Sequence, residues 1–163
     1  MINLNLTAPI LLTRLALPRL RQVPKDRGAV VLNVSSGIAL TGLPFYSVYA
    51  ATKSGIARFG EALRRELHET AVHVATAYPG ATDTDMMTTS TAGEELGFGR
   101  QHVEDVVAEI LTGLENGEHE INTAIATRRK MQELNARDPL AVDAALAPRL
   151  AAMKEAVSNH RSI

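Results

Sequence analysis

Apolar residues recur at helical spacing through the first twenty positions, at Leu4, Leu6, Ile10, Leu11, Leu12, Leu15, Leu17 and Leu20, which predicts a helix over 3–22. The arc they cover is wide, so more than one face of that helix is expected to be buried. Pro24 and Gly28 mark a loop. Ala29 to Val34 is then a nearly continuous apolar run rich in valine, which suits a parallel strand covered on both faces. Gly37, Gly42 and Pro44 rule out one regular element over 37–48. A second helix is expected over 47–70, with small residues Ala50, Ala51, Ser54 and Ala57 on a close-packing side and Phe59, Leu63 and Leu67 toward a core. His73 to Tyr78 alternates like a short strand and is closed by Pro79-Gly80. Residues 81–100 are rich in Thr, Ser and Gly, with Met86, Met87 and Phe98, a composition that fits a mobile flap. A third helix is expected from His102 to Glu115, stopped by Asn116-Gly117. A last strand is expected over Glu120 to Ala126, and from Arg129 a helical tail broken by Pro139 and Pro148.

Helices alternating with strands argue for an α/β fold, a partial Rossmann-like, doubly wound parallel sheet with flanking helices. Residues 29–36, 73–78 and 120–126 should be adjacent parallel strands, with helices 3–22 and 49–70 on one face. The chain is expected to form a single domain over 1–163, with a core over 1–127 and the helical tail over 128–163. Ligands of such sheets bind at the carboxyl ends of the strands. Ser36 and Pro79-Gly80 both fall at such ends.

Composition narrows the chemistry. Seventeen Lys and Arg against eighteen Asp and Glu give a net charge of −1, so neither nucleic acid nor an anionic membrane is expected as a partner. There is no cysteine, which excludes disulfides, zinc thiolate sites and thiol catalysis. The five histidines are scattered at 68, 73, 102, 119 and 160, and with no H-x-x-x-H pair no metal site is expected. Residues 8–20 are apolar but carry Arg14 and Arg19 and stop short of a membrane span. With no secretory signal visible, the expected location is the cytoplasm. Ser36 lacks a G-x-S-x-G elbow, since position 34 is valine and position 38 isoleucine, which leaves a serine hydrolase without support.

The candidate chemistry lies between Ser36 and Lys53. Tyr49 and Lys53 are spaced i and i+4 and share one face of a helix. A lysine ammonium beside a phenol favours the phenolate and lowers its pKa. Free tyrosine titrates near ~10, so base work near neutrality needs such help. Ser36 stands thirteen residues before Tyr49, where its hydroxyl could bond the substrate oxygen that exchanges a proton with the phenol. Each residue taken alone has a plainer reading, as a turn-capping serine, a buried tyrosine and a lysine lying along apolar surface. Tyr46 has no lysine four residues on and is a candidate for lining a substrate pocket, and Tyr78 reads as packing.

Ser36, thirteen residues and then Tyr49-x-x-x-Lys53 resembles the active site of the short-chain dehydrogenases/reductases. Asn5-Leu6-Thr7-Ala8-Pro9 resembles that family's Asn-bearing helix start, Val31 to Ser36 its serine-bearing strand, and Pro79-Gly80-Ala81-Thr82-Asp83-Thr84 its Pro-Gly-x-x-x-Thr loop. The resemblance runs from Asn3 to about Thr127. It implies a nicotinamide-dependent oxidoreductase that interconverts a small-molecule alcohol and carbonyl, with Asn5, Ser36, Tyr49 and Lys53 as catalytic residues. It also implies NAD or NADP held by Tyr49, Lys53, Pro79, Gly80, Thr82 and Thr84. In the family Asn5 would hold a water in a proton relay to Lys53, and helices 3–22 and 49–70 would form a four-helix bundle across a two-fold axis. A homodimer or larger assembly is therefore expected.

The sequence departs from the family at one large feature. No G-x-G-x-x-G turn occurs in these 163 residues, and the chain resembles the C-terminal, catalytic half of such an enzyme. Weak dinucleotide binding is therefore expected of the short chain. The competing expectation is a truncated, non-catalytic fragment or interaction remnant, with the strand 29–34 left as an exposed apolar edge.

Overall fold

The computed structural model describes residues 1–93 and 98–160. The chain opens with a π-helical turn, Asn3–Thr7, that runs into helix α1 (Ala8–Leu20). Pro9 has no N–H to give the Asn5 carbonyl, which opens the ladder there. The Ala8 N–H reaches back five residues to Asn3 instead. Strand β1 (Ala29–Val34), helix α2 (Ser47–Glu66), strand β2 (Val72–Tyr78), helix α3 (Val103–Glu115) and strand β3 (Glu120–Asn122) follow. The chain then folds into α4 (Ala126–Arg137), α5 (Pro139–Leu146) and α6 (Leu150–Ala156).

All strand pairs are parallel, in the order β1-β2-β3. The register sets Ala29 beside Val72 and Val34 beside Ala77, then Thr76 beside Glu120. Side chains alternate across the sheet. Val72 and Val74 pack with Leu63 and Leu67 of α2 and with Leu17 and Leu20 of α1 on one face. Ala75 and Ala77 meet Val106 and Ile110 of α3 on the other. The expected parallel α/β sheet with helices on both faces is therefore present, with α1 and α2 sharing a face.

Two expectations change. The last strand ends at Asn122 rather than Ala126, because the Asn122 side chain accepts the Ala124 N–H (3.1 Å) and turns the backbone into α4. Helix 3–22 was expected to be covered on more than one face, yet none of α1's residues is buried. Its inner residues reach the sheet, while Leu12 and Leu15 stay 66% and 76% exposed. β1 forms one edge of the sheet, and Val30 and Val34 on it are exposed.

The residues after α3 do more than trail. Val142, Leu146, Met153 and Val157 close a third core with Leu43, Tyr46, Ala92 and Phe98. Asp138 caps α5 by accepting the Ala141 N–H (3.1 Å), with Pro139 in its first turn.

Candidate active site

The β1 backbone delivers Ser35 and Ser36 to the carboxyl end of the sheet. The Ser35 N–H extends the ladder to Ala77 O (2.8 Å), and the Gly37 N–H reaches Pro79 O (2.8 Å). These bonds hold the ends of β1 and β2 together. Ser36 begins a 3-10 turn, Gly37–Ala39, and its hydroxyl accepts the Ile38 N–H (3.4 Å). It thus caps a turn, as the plain reading had it, and its side chain also lines a cavity together with Tyr49 and Lys53. The buried Ser35 hydroxyl donates to Lys53 O (2.7 Å), which ties α2 to the serine-bearing strand end.

Lys53 Nζ donates to Val34 O (3.1 Å) and lies 5.7 Å from the centre of the Tyr49 ring. Burial pushes the Tyr49 phenol above its ordinary pKa, and the facing Ser36 side chain pulls it part of the way back. Burial also lowers the Lys53 ammonium. The lowered phenol pKa expected from Lys53 is therefore not present. Desolvation outweighs an ammonium that stands over the ring and is engaged with a carbonyl.

Asn5 sits within the π-helical turn, and its Nδ2 donates to Thr52 Oγ1 (3.4 Å), beside Lys53. Single π-helical turns are frequent at functional sites. After β2, the Thr82 hydroxyl donates to Gly80 O (3.1 Å) and that of Thr84 to Thr82 O (3.4 Å). Gly80 is held close: a Cβ there would stand 2.8 Å from Gln101 Oε1 and 3.3 Å from Ala124 Cα.

These elements enclose a cavity of about 870 Å³ at the carboxyl ends of β1 and β2. Asn5, Ser36, Tyr49, Lys53, Pro79, Gly80, Thr82 and Thr84 all line it. Met86, Met87 and Phe98, from the segment expected to be a flap, line it too. The segment behind them is a short 3-10 helix, Asp85–Thr89, tied to α6 by the Thr91 N–H to Ala156 O (3.1 Å). The part of the expected flap over 94–97 lies outside the described residues.

Sequence reasoning missed several contributors. Gln132 of α4, buried, donates to Gly37 O (3.2 Å) and accepts from Asn122 Nδ2 (2.8 Å), bracing the turn after Ser36. Arg128 and His160 line the cavity from segments remote in sequence. No spacing rule links residues this far apart in the chain, so only their place in the fold reveals them. Among the described residues, no group of three or more His, Asp or Glu is placed to hold a metal, and no helix is long and apolar enough to cross a membrane.

A family model described as short chain dehydrogenase matches residues 1–95, more than half of the chain. The chain therefore belongs to the short-chain dehydrogenase family. It is 35% identical over 120 residues to the uncharacterized oxidoreductase DltE of Bacillus subtilis, a match covering 74% of this chain and 46% of that protein. It is 36% identical over 89 residues to the ketoacyl reductase HetN of a Nostoc species, covering 55% of this chain and 30% of the other. A Burkholderia cenocepacia short chain dehydrogenase in complex with NADP superposes with a TM-score of 0.74 at 27% identity, over 89% of this chain and 56% of that one. A Sphingobium yanoikuyae short-chain dehydrogenase in complex with NADPH gives 0.67 at 25% identity, over 88% and 55%. The chain spans about half the length of these relatives, or less.

Proposed function

We propose that this chain carries the proton-transfer face of an oxidoreductase that interconverts an alcohol and a carbonyl with NAD or NADP. The observation behind the reading is that Ser36 from a strand end, and Tyr49 and Lys53 from one helix, line a single cavity at the carboxyl end of a parallel sheet. The donor set suits the nicotinamide end of a dinucleotide: Lys53 would reach the ribose, and the Thr82 and Thr84 hydroxyls beside Pro79-Gly80 would meet the carboxamide. When bound, the nicotinamide supplies or accepts the hydride.

The chain's own residues would do the rest. Ser36 Oγ–H donates to the substrate carbonyl oxygen and orients it. Tyr49 Oη–H gives its proton to that oxygen as negative charge develops there. A phenol held above its ordinary pKa is protonated at neutrality, which readies it for carbonyl reduction. In the reverse direction Lys53, released from Val34 O, would stabilise the phenolate, and Asn5 would sustain proton exchange through Thr52 and solvent.

The test is nicotinamide absorbance with NADH and NADPH over a panel of ketones, using the 163-residue chain and any in-frame sequence upstream of Met1. Tyr49→Phe should lower turnover by roughly 10²–10⁴-fold while circular dichroism stays native. Reduction should be insensitive to pH across neutrality and fall only above the raised phenol pKa. Full activity in Tyr49→Phe would end the reading. Calorimetric titration should give weak dinucleotide binding to the 163 residues, which contain no glycine-rich turn to cradle a pyrophosphate. Tight binding would refute that argument. The exposed leucines of α1, with Val48 and Ala51 of α2, support self-association through these two helices. A strictly monomeric species in sedimentation would exclude it.

A further inference from the structure

Beyond the Ser36 and Tyr49 hydroxyls the cavity changes character. Its wall there comes from Ile38, Leu43, the Tyr46 ring, Met86, Met87 and Phe98. Leu43, Tyr46 and Phe98 belong to the core that the residues after α3 close, and Tyr49 packs against it, so the wall is fixed by the protein's own packing. Its rings form a connected series. Tyr46 stands edge-on to Tyr49 at 6.5 Å and tilted against Phe98 at 5.9 Å. Tyr49 is thus the first ring of an aromatic surface.

The polar groups at this end are already engaged. The Tyr46 hydroxyl faces the Ser90 side chain, which leaves its ring to line the cavity. Arg128 lies over the Phe98 ring at 5.4 Å, donates to Met131 Sδ (3.3 Å) and is held further within the protein. His160 Nδ1 stands 3.2 Å from Thr89 Oγ1, and its ring is edge-on to Tyr46 at 5.7 Å. A charged substituent entering here would give up water and meet no uncommitted partner among the described residues, which is costly. An apolar substituent gains by leaving water.

Two features favour a flat ring over an alkyl chain. Aromatic pairs prefer edge-on and offset contacts at ring separations of about 4.5–7 Å, and the Tyr49–Tyr46–Phe98 spacings lie in that range. Much of the remaining wall is methionine, whose unbranched, polarizable side chain adapts to a ring and makes favourable contacts at its edge. Met87 is buried, whereas Met86 is 44% exposed and can move onto a bound ring; both belong to the 3-10 turn Asp85–Thr89.

We propose that Leu43, Tyr46, Met86, Met87 and Phe98 form an aryl subsite, so that the substrates are neutral ketones, and the matching alcohols, with an aromatic ring beside the reacting carbon. This rests on the proposed role of Ser36 and Tyr49 at the carbonyl oxygen, and adds the substrate class.

The probes are acetophenone, acetone, which keeps the carbonyl and removes the ring, and 4-acetylbenzoate, which keeps the ring and adds a charge. Titration followed by heteronuclear NMR reads their affinities without turnover. The native chain should bind acetophenone about tenfold to a hundredfold tighter than acetone, as burial of a ring implies. It should bind 4-acetylbenzoate about tenfold weaker than acetophenone, or weaker still. Phe98→Leu keeps the site apolar and should lower the acetophenone-to-acetone ratio by a few-fold. Met86→Ser, at an exposed position that leaves folding intact, should do the same. Acetophenone binding no tighter than acetone would overturn the proposal, as would 4-acetylbenzoate binding as tightly as acetophenone or a ratio that survives both variants. Tyr49→Phe separates the two readings, since it should cut turnover and leave the ratio intact. Turnover of ketones without any preference for an aryl group sinks the aryl subsite alone. An aryl preference in binding with no turnover of any carbonyl sinks the oxidoreductase reading alone.

Discussion

Helix α2 carries Tyr49 and Lys53, and its distance from the sheet is set at Gly60. A Cβ built there would lie 2.7 Å from Thr76 Oγ1 and 2.8 Å from Asn33 Nδ2. Both neighbours are buried, so neither can swing into solvent. In the same helix Gly55 meets only the ends of Leu6, at 3.0 and 3.2 Å, and the Leu6 side chain, half-buried on the opening turn, can turn aside. Replacing either glycine by alanine gains about 1 kcal/mol of helix propensity. That gain cancels when the two variants are compared, and the steric contribution remains. Overpacking a filled core is destabilising by about 1–3 kcal/mol. Gly60→Ala should therefore be less stable than Gly55→Ala by that amount. Urea denaturation followed by far-UV circular dichroism measures it, as a change in midpoint at constant slope. Because α2 would be pushed off β1 and β2, Gly60→Ala should also weaken substrate binding at the site proposed at Ser36 and Tyr49. Equal stability of the two variants would refute the reasoning, for it would mean that α2 has room to spare over the sheet.

Three further outcomes are expected. Gln132→Leu removes two hydrogen bonds and leaves Asn122 Nδ2 without its partner, while Gly37 O keeps only the Leu40 N–H; it should lower stability by about 1–3 kcal/mol in the same denaturation assay and loosen the turn after Ser36. Gly113→Ala would bring a Cβ to 2.9 Å from Ile121 Cγ1, and a lowered melting temperature by calorimetry should follow, since Ile121 is buried against α3. His160 is held below the ordinary imidazole pKa, chiefly by burial and then by Arg100. The unfolded chain therefore binds the proton more readily than the folded one. Stability should fall as pH drops through the ordinary imidazole range near ~6.5 and level off below the lowered folded value. His160→Phe should flatten this slope in denaturation measured at stepped pH, and an unchanged slope would rule His160 out as its source.

Much of the fold was legible because its signals are local. The valine run of β1, the alternation of β2 and the apolar spacing of α2 and α3 each fall within one element, where periodicity alone distinguishes strand from helix. The Ser36–Tyr49–Lys53 order was legible for a related reason: a strand end, a short turn and one helical repeat place the three residues within a single crossover. Boundaries decided by one side chain were not legible. The end of β3 depends on where Asn122 turns its amide, and the π-helical opening on which carbonyl Pro9 leaves without a donor.

What the sequence by itself determined is the parallel α/β plan, the family resemblance carried by Ser36, Tyr49 and Lys53, and the absence of thiol chemistry, since each follows from residue type and short-range spacing. Tertiary structure alone decided the electrostatic state of Tyr49, which burial raises although the neighbouring lysine suggested the reverse. It alone brought Tyr46, Arg128 and His160 to one wall of the cavity. Desolvation and the meeting of distant segments depend on what surrounds a residue in space, and that information is carried by the packed chain as a whole rather than by any stretch of it.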